Sequence, residues 1–256
     1  MTLVTLVIVV ATGIFFLTAS VRESKRLEQS LIDRFGWADQ YTPAIDGTIP
    51  ANRLEGFIRV REAVQPHCID YQTVLDHLIE LDSLETNQDL SASEKASRGF
   101  GGMKSIFSSG PTLLKFSEAR NRALLAEEMG LGEYLYIYLT VYGEQLANEL
   151  VSPYSDMEEA FISPRTRSEF VTILGNQLAA LEAADNGDYP EELMIRLRKE
   201  IAALKDGSQP SPWTDGPTGM TRKSLAPFRQ QVTDLYCSGT VGIELLQKNR
   251  GFQFEG

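Results

Sequence analysis

Two histidines and two cysteines in 256 residues leave little from which to build a metal centre or a nucleophilic site. His67 and His77 both lack a Glu three positions earlier, so the Glu-x-x-His signature of helical carboxylate sites is missing. Cys68 and Cys237 form no Cys-x-x-Cys, which excludes a zinc knuckle or a thioredoxin-like motif. His67 and Cys68 are adjacent, and on a helix their side chains diverge by about 100° rather than meet. No Gly-x-Ser-x-Gly elbow, P-loop or dinucleotide fingerprint occurs. Gly99-Phe100-Gly101-Gly102 follows no strand, and Asp185-Asn186-Gly187-Asp188 lacks the ligand pattern of a calcium loop and reads as a turn. The residues therefore call for no cofactor and no metal.

Basic residues are also scarce. Lys and Arg number 24 against 35 Asp and Glu, a formal net charge of −11. A phosphate backbone is held by concentrated cations, so nucleic acid is excluded as a partner.

What the chain does have is one long apolar run. Leu3 to Val21 contains no charged side chain and is followed at once by Arg22, Lys25 and Arg26. As a helix it would reach roughly 28 Å, close to the hydrocarbon thickness of a bilayer. No basic residue precedes it and Leu17-Thr18-Ala19 is a mediocre cleavage site, which favours an uncleaved anchor over a signal peptide. The run predicts a single-pass membrane protein whose lipid contact is made by residues 3–21. Arg22, Lys25, Arg26 and Arg34 would keep the body cytoplasmic by the positive-inside rule; a few cations ahead of the run would place it on the other side.

Beyond the anchor the periodicity is helical. Leu27, Leu31 and Ile32 predict an amphipathic stalk ended by Gly36, making residues 1–35 an anchor and stalk. Residues 36–51, with Pro43, Gly47 and Pro50, read as a linker and hinge. Residues 52–256 read as one helical domain. In it Leu54, Phe57, Ile58, Val64, Cys68, Tyr71, Val74 and Leu75 recur at helical spacing, with Pro66 expected to kink or split the helix. A helix from Pro111 should close at Gly130. Tyr134 to Tyr142 alternates like a strand, but a single strand has no partner in this chain, so the segment is expected to be a central helix buried nearly all round. Helices over 165–184 and 189–204 follow, then a Pro/Gly connector in which Trp213 pins the loop to the core, then a last helix from about Arg222 to Lys248. The fold class is all-α: an irregular bundle of five to seven helices plus one N-terminal transmembrane helix.

The candidate site lies beside the central helix. Arg120 and Asn121 share a helix face with Leu113, Ser117 and Leu124, and a buried guanidinium needs a partner. Glu133 and Tyr138 on the next helix are the candidates. Such a set is either an Arg, Glu and Tyr network fixing a helix crossing or a pocket for a small anion held by Arg120 and oriented by tyrosine hydroxyls. Cys68 and Cys237 could close a disulfide if the body faces an oxidising compartment. With no catalytic signature, the expected role is a membrane-tethered, non-catalytic scaffold or interaction module with a protein partner. A helical domain binding a small anionic ligand, and a hydrolase with an unrecognised carboxylate site, are the alternatives.

Overall fold

A computed structural model describes residues 21–86, 114–149, 164–184, 191–207, 212–213, 216–238, 240 and 244–245, with backbone alone for 69–86, 148–149 and 164. These residues form helices and no strand. In chain order they are α1 (21–35), a 3-10 turn (Ala38–Gln40), α2 (Ala51–Thr86), α3 (114–126), α4 (Leu131–Glu149), α5 (Pro164–Ala183) and α6 (Glu191–Asp206). The short α7 (Gly219–Leu225), a second 3-10 turn (Ala226–Phe228) and α8 (Arg229–Asp234) complete them. Among the described residues no helix is long and apolar enough to cross a membrane. The apolar run Leu3–Val21 lies outside the described residues except for Val21, as do Gly99–Gly102 and Asp185–Asp188.

Helix α4 is the axis of the bundle. Tyr134, Leu135, Tyr136, Ile137, Tyr138, Leu139, Tyr142 and Leu146 are all buried, so the segment is wrapped on every side. The alternation of Tyr with Leu and Ile that resembles a strand resolves into a helical stripe. Tyr134, Tyr138 and Tyr142, four apart, stack along one face with ring centroids 5.9 and 4.9 Å apart, and Tyr134 and Tyr142 both meet Phe57 of α2. Tyr136 turns the other way, toward Tyr41 and Phe170.

Several boundaries differ from those the sequence suggests. Helix α2 runs through Pro66 instead of splitting. Pro66 withholds a donor from the Glu62 carbonyl, a cost of about 3 kcal/mol in an isolated helix, but Phe57, Val64 and Cys68 on either side are packed into the core and hold the helix together. Helix α3 is closed by Glu128, not by Gly130. Glu128 takes φ of 50°, and the Met129 N–H reaches back to the Leu124 carbonyl at 2.9 Å, a Schellman closure. Gly130 and Gly132 serve close approach instead: a Cβ on Gly130 would lie 2.8 Å from Cβ of Phe35, and one on Gly132 would strike the Ala38 carbonyl. Gly132→Ala is therefore expected to cost about 1–3 kcal/mol through overpacking, read as a lowered midpoint in thermal unfolding. An unchanged midpoint would mean that the 3-10 turn is free to move off α4.

The last helix does not run from Arg222 to Lys248. Pro227 has no N–H to continue the ladder, and the chain breaks into α7, a 3-10 turn and α8 before an irregular segment carrying Cys237.

The stalk and connector are fastened to the body. Leu27 and Leu31 of α1 are buried in the core, and Gly36, at φ of 80°, ends the helix with its N–H on the Ile32 carbonyl. The segment read as a hinge is stitched down by polar contacts: Asn176 donates to the carbonyls of Asp39 and Tyr41, Gln177 to that of Ala44, and Thr221 to that of Gly47. Buried carbonyls of an irregular segment need such donors, which explains the two amides side by side on α5.

Candidate functional site

Helix α2 presents Leu54, Phe57, Arg61, Val64 and Cys68 to the interior at steps of three and four. Arg61 thus occupies a core position and has no exposed surface. Its guanidinium faces the Glu244 carboxylate in an ion pair, and both side chains are fully buried. Nη2 donates to the Leu235 carbonyl at 2.7 Å and Nη1 to the Tyr134 hydroxyl at 3.3 Å. The rings of Tyr138 and Tyr142 lie 5.3 and 5.4 Å from its central carbon, within cation–π range. Burial works against the charge, but the phenolic oxygens of Tyr134, Tyr142 and Tyr138 outweigh it, and the guanidinium is held above its ordinary value.

Arg120 joins the same network from α3. Its Nη1 donates to the backbone carbonyl of Glu244, and its Nε donates to the Asn121 side chain at 3.0 Å. Burial pulls this guanidinium below its ordinary value. Three of the four sequence candidates, Arg120, Asn121 and Tyr138, are therefore linked through Glu244 and Arg61.

The fourth, Glu133, is not part of it. In the first turn of α4 it accepts two hydrogen bonds from Arg53 of α2, at 2.6 and 2.5 Å. Arg53 also donates to the carbonyls of Glu127 and Glu128 at the end of α3. One guanidinium thus ties together the start of α2, the end of α3 and the start of α4, where the carboxylate also meets the positive end of α4. Arg122 and Glu118 lie at the surface and only 3.9 Å from each other, with Arg122 also reaching Glu23 of α1.

Cys68 and Cys237 are joined in a disulfide with Cα atoms 5.9 Å apart. They share a small cluster with Val64 and Phe116, and Cys68 lies about two turns of α2 beyond Arg61. The bridge and the ion pair therefore clamp the same two parts of the chain.

Arg61 and Glu244 are the residues that sequence reasoning passed over. A signal for Arg61 was present: it falls in phase with the apolar stripe, at a position where a charge has to be matched from elsewhere. Glu244 carried no such mark.

The chain matches no protein-family model, no curated protein and no solved structure. Its own geometry carries the reading. Burial pushes the hydroxyls of Tyr136 and Tyr138 up, and that of Tyr142 up to about 12 against the pull of Arg61. At neutral pH all three are uncharged, and those of Tyr138 and Tyr142 lie beside a permanent cation, an arrangement that holds helices in register rather than one that moves protons. Among the described residues no group of three His, Cys, Asp or Glu is placed to hold a metal ion.

The raised tyrosines fix the alkaline behaviour. In the unfolded chain a tyrosine ionises near pH 10, and in the folded protein these three ionise later. Their contribution is thus intact below pH 10 and is lost as pH rises from there through the folded values. Each group costs about 1.4 kcal/mol per pH unit in that window, so the three together lower stability by roughly 4 kcal/mol per pH unit. Absorbance at 295 nm should show Tyr136, Tyr138 and Tyr142 ionising only as helical ellipticity collapses. Their titration ahead of that collapse would show that water reaches the centre.

Proposed function

We propose that the protein is a membrane-tethered, non-catalytic interaction module, anchored by Leu3–Val21 and presenting its acidic helical body to a protein partner. The observation that carries this reading is the pairing of carboxylates with guanidiniums around the central helix. Arg61 is matched by Glu244, Arg53 by Glu133 and Arg59 by Glu127, so the groups best placed for chemistry are engaged in joining helices.

The position of α1 supports the tether. Leu27 is already buried and lies about 9 Å along the helix from Val21, so an anchor ending at Val21 leaves the body no slack. The body would rest at the bilayer surface with Arg22, Lys25 and Arg26 near the headgroups. The disulfide supports the extracytoplasmic side, because cytosolic reductants keep such thiols apart. The four cations after the run favour the opposite side, but theirs is a bias that a few charges reverse.

Fractionation tests the reading. The full-length chain should pellet with membranes, resist carbonate extraction, and run on a gel with a mobility that changes on reduction in the presence of an alkylating agent. Recovery of the intact chain in the aqueous fraction after detergent-free lysis would refute the anchor. A partner recovered by crosslinking on intact membranes, and lost when the apolar run is replaced by a soluble leader, would support an action that depends on position.

A further inference from the structure

An open groove of about 750 Å³ runs between α5 and α6, and no member of the Arg61 network lines it. Its volume lies within the range of small-molecule sites. Val171, Ile201 and Leu204 form apolar wall, and Arg167 and Lys205 supply two cations.

The Arg167 Nε is buried and has no hydrogen-bond partner among the described residues. The Arg61 Nε is likewise unpartnered, but Arg61, like Arg53 and Arg59, faces a carboxylate, whereas Arg167 makes no ion pair among the described residues. Asp206, also on the rim, is engaged in another interaction. An unmatched guanidinium half out of water is a ready seat for an oxyanion.

Gly175 in the middle of α5 adds a second observation. A glycine there costs the helix about 0.5–1 kcal/mol relative to alanine. At Gly130 and Gly132 neighbouring atoms forbid a side chain, whereas a Cβ on Gly175 would meet nothing within 4 Å. Glycine at this position is not required by packing, and it leaves the groove floor open. Of the uncharged polar groups on the wall, Thr172 donates to the Ser168 carbonyl and Asn176 to those of Asp39 and Tyr41, while the Ser168 hydroxyl stands exposed beside the cations. The charge that recognises a head group comes from Arg167 and Lys205.

We propose that this groove binds a small organic anion bearing an apolar chain, with its carboxylate on Arg167 and Lys205 and its chain along Val171, Ile201 and Leu204. The proposal does not depend on the anchor or on the interaction role.

The test is calorimetric titration of octanoate into the full-length chain held in zwitterionic nanodiscs, with empty discs as the blank. Saturable one-site binding is expected, with octylammonium failing to bind. Arg167→Gln should weaken octanoate about tenfold or more, the loss of a charge-assisted contact. Gly175→Leu should abolish binding while helicity is retained. Should that variant not fold, Lys205→Gln and Gly175→Ala replace it, the first weakening octanoate and the second raising the unfolding midpoint. Discs doped with oleic acid separate the two sources of such a ligand: competition with octanoate assigns entry from the bilayer, and its absence assigns a ligand taken from solvent. No saturable octanoate binding, equal binding of octylammonium, or undiminished binding by Gly175→Leu overturns the proposal.

Discussion

Arg61→Met is expected to unfold at a clearly lower denaturant concentration than the parent, with a loss of about 3–5 kcal/mol, because it strands the Glu244 carboxylate in the core. The partner substitution Glu244→Leu, made alone, strands the guanidinium and should cost a similar amount. The double variant Arg61→Met with Glu244→Leu is the informative one. Apolar residues of similar volume remove both desolvation costs together, and the double variant should recover most of the loss and can equal the parent. Urea unfolding of the four proteins measures the cycle. Two single variants that each lose under about 1 kcal/mol would show that water reaches this place and that the pair is not a core element.

The second large effect belongs to the disulfide. Cys68 and Cys237 close a loop across 169 positions, and the chain-entropy account gives such a closure about 5 kcal/mol. Measured values for native bridges run from about 2 to 5, so reduction should lower the urea midpoint substantially, and Cys237→Ser should reproduce the midpoint of the reduced protein. Identical midpoints with and without reductant would mean the thiols are not joined in solution. The two effects should not add. Both links join the late segment at Leu235, Cys237 and Glu244 to α2, so with the bridge cut that segment can leave more freely and the ion pair contributes less.

The helices and the burial of α4 were legible because their signals are local. Apolar spacing of three and four is written along the chain, and the lack of a second β-rich run left Tyr134–Tyr142 no strand partner. Trp213, buried beside Phe170 at a ring separation of 6.5 Å, was legible in the same way, as a large indole in a loop with nowhere else to go. The stops were less so. Pro66 breaks an isolated helix but not one whose flanks are packed, and Glu128 adopts a positive φ that its side chain gives no hint of. The heart of the network was hidden for a different reason. Arg61 is compensated by a residue remote in sequence, and no spacing rule connects them. Arg120 could be inferred to need a partner, but that the partner would be the backbone of Glu244 depends on where an irregular segment comes to rest. Glu133 stands in the first turn of α4 and pairs with Arg53, 80 positions earlier, instead of with Arg120, and no spacing rule links Glu133 to Arg53.

Ribosomes deliver chains from the N-terminus, and this core cannot be finished until its late segment arrives. Arg61 emerges early, while the Leu235 carbonyl that receives it follows 174 positions later and the Glu244 carboxylate later still. Until then a nascent body made of α1 to α6 holds a cation among tyrosines with no counter-charge. Contacts of such range make folding slow, and an incomplete bundle of this kind exposes apolar surface for chaperones to cover. Truncation before Leu235 should therefore yield a product prone to aggregation and proteolysis rather than a smaller stable domain.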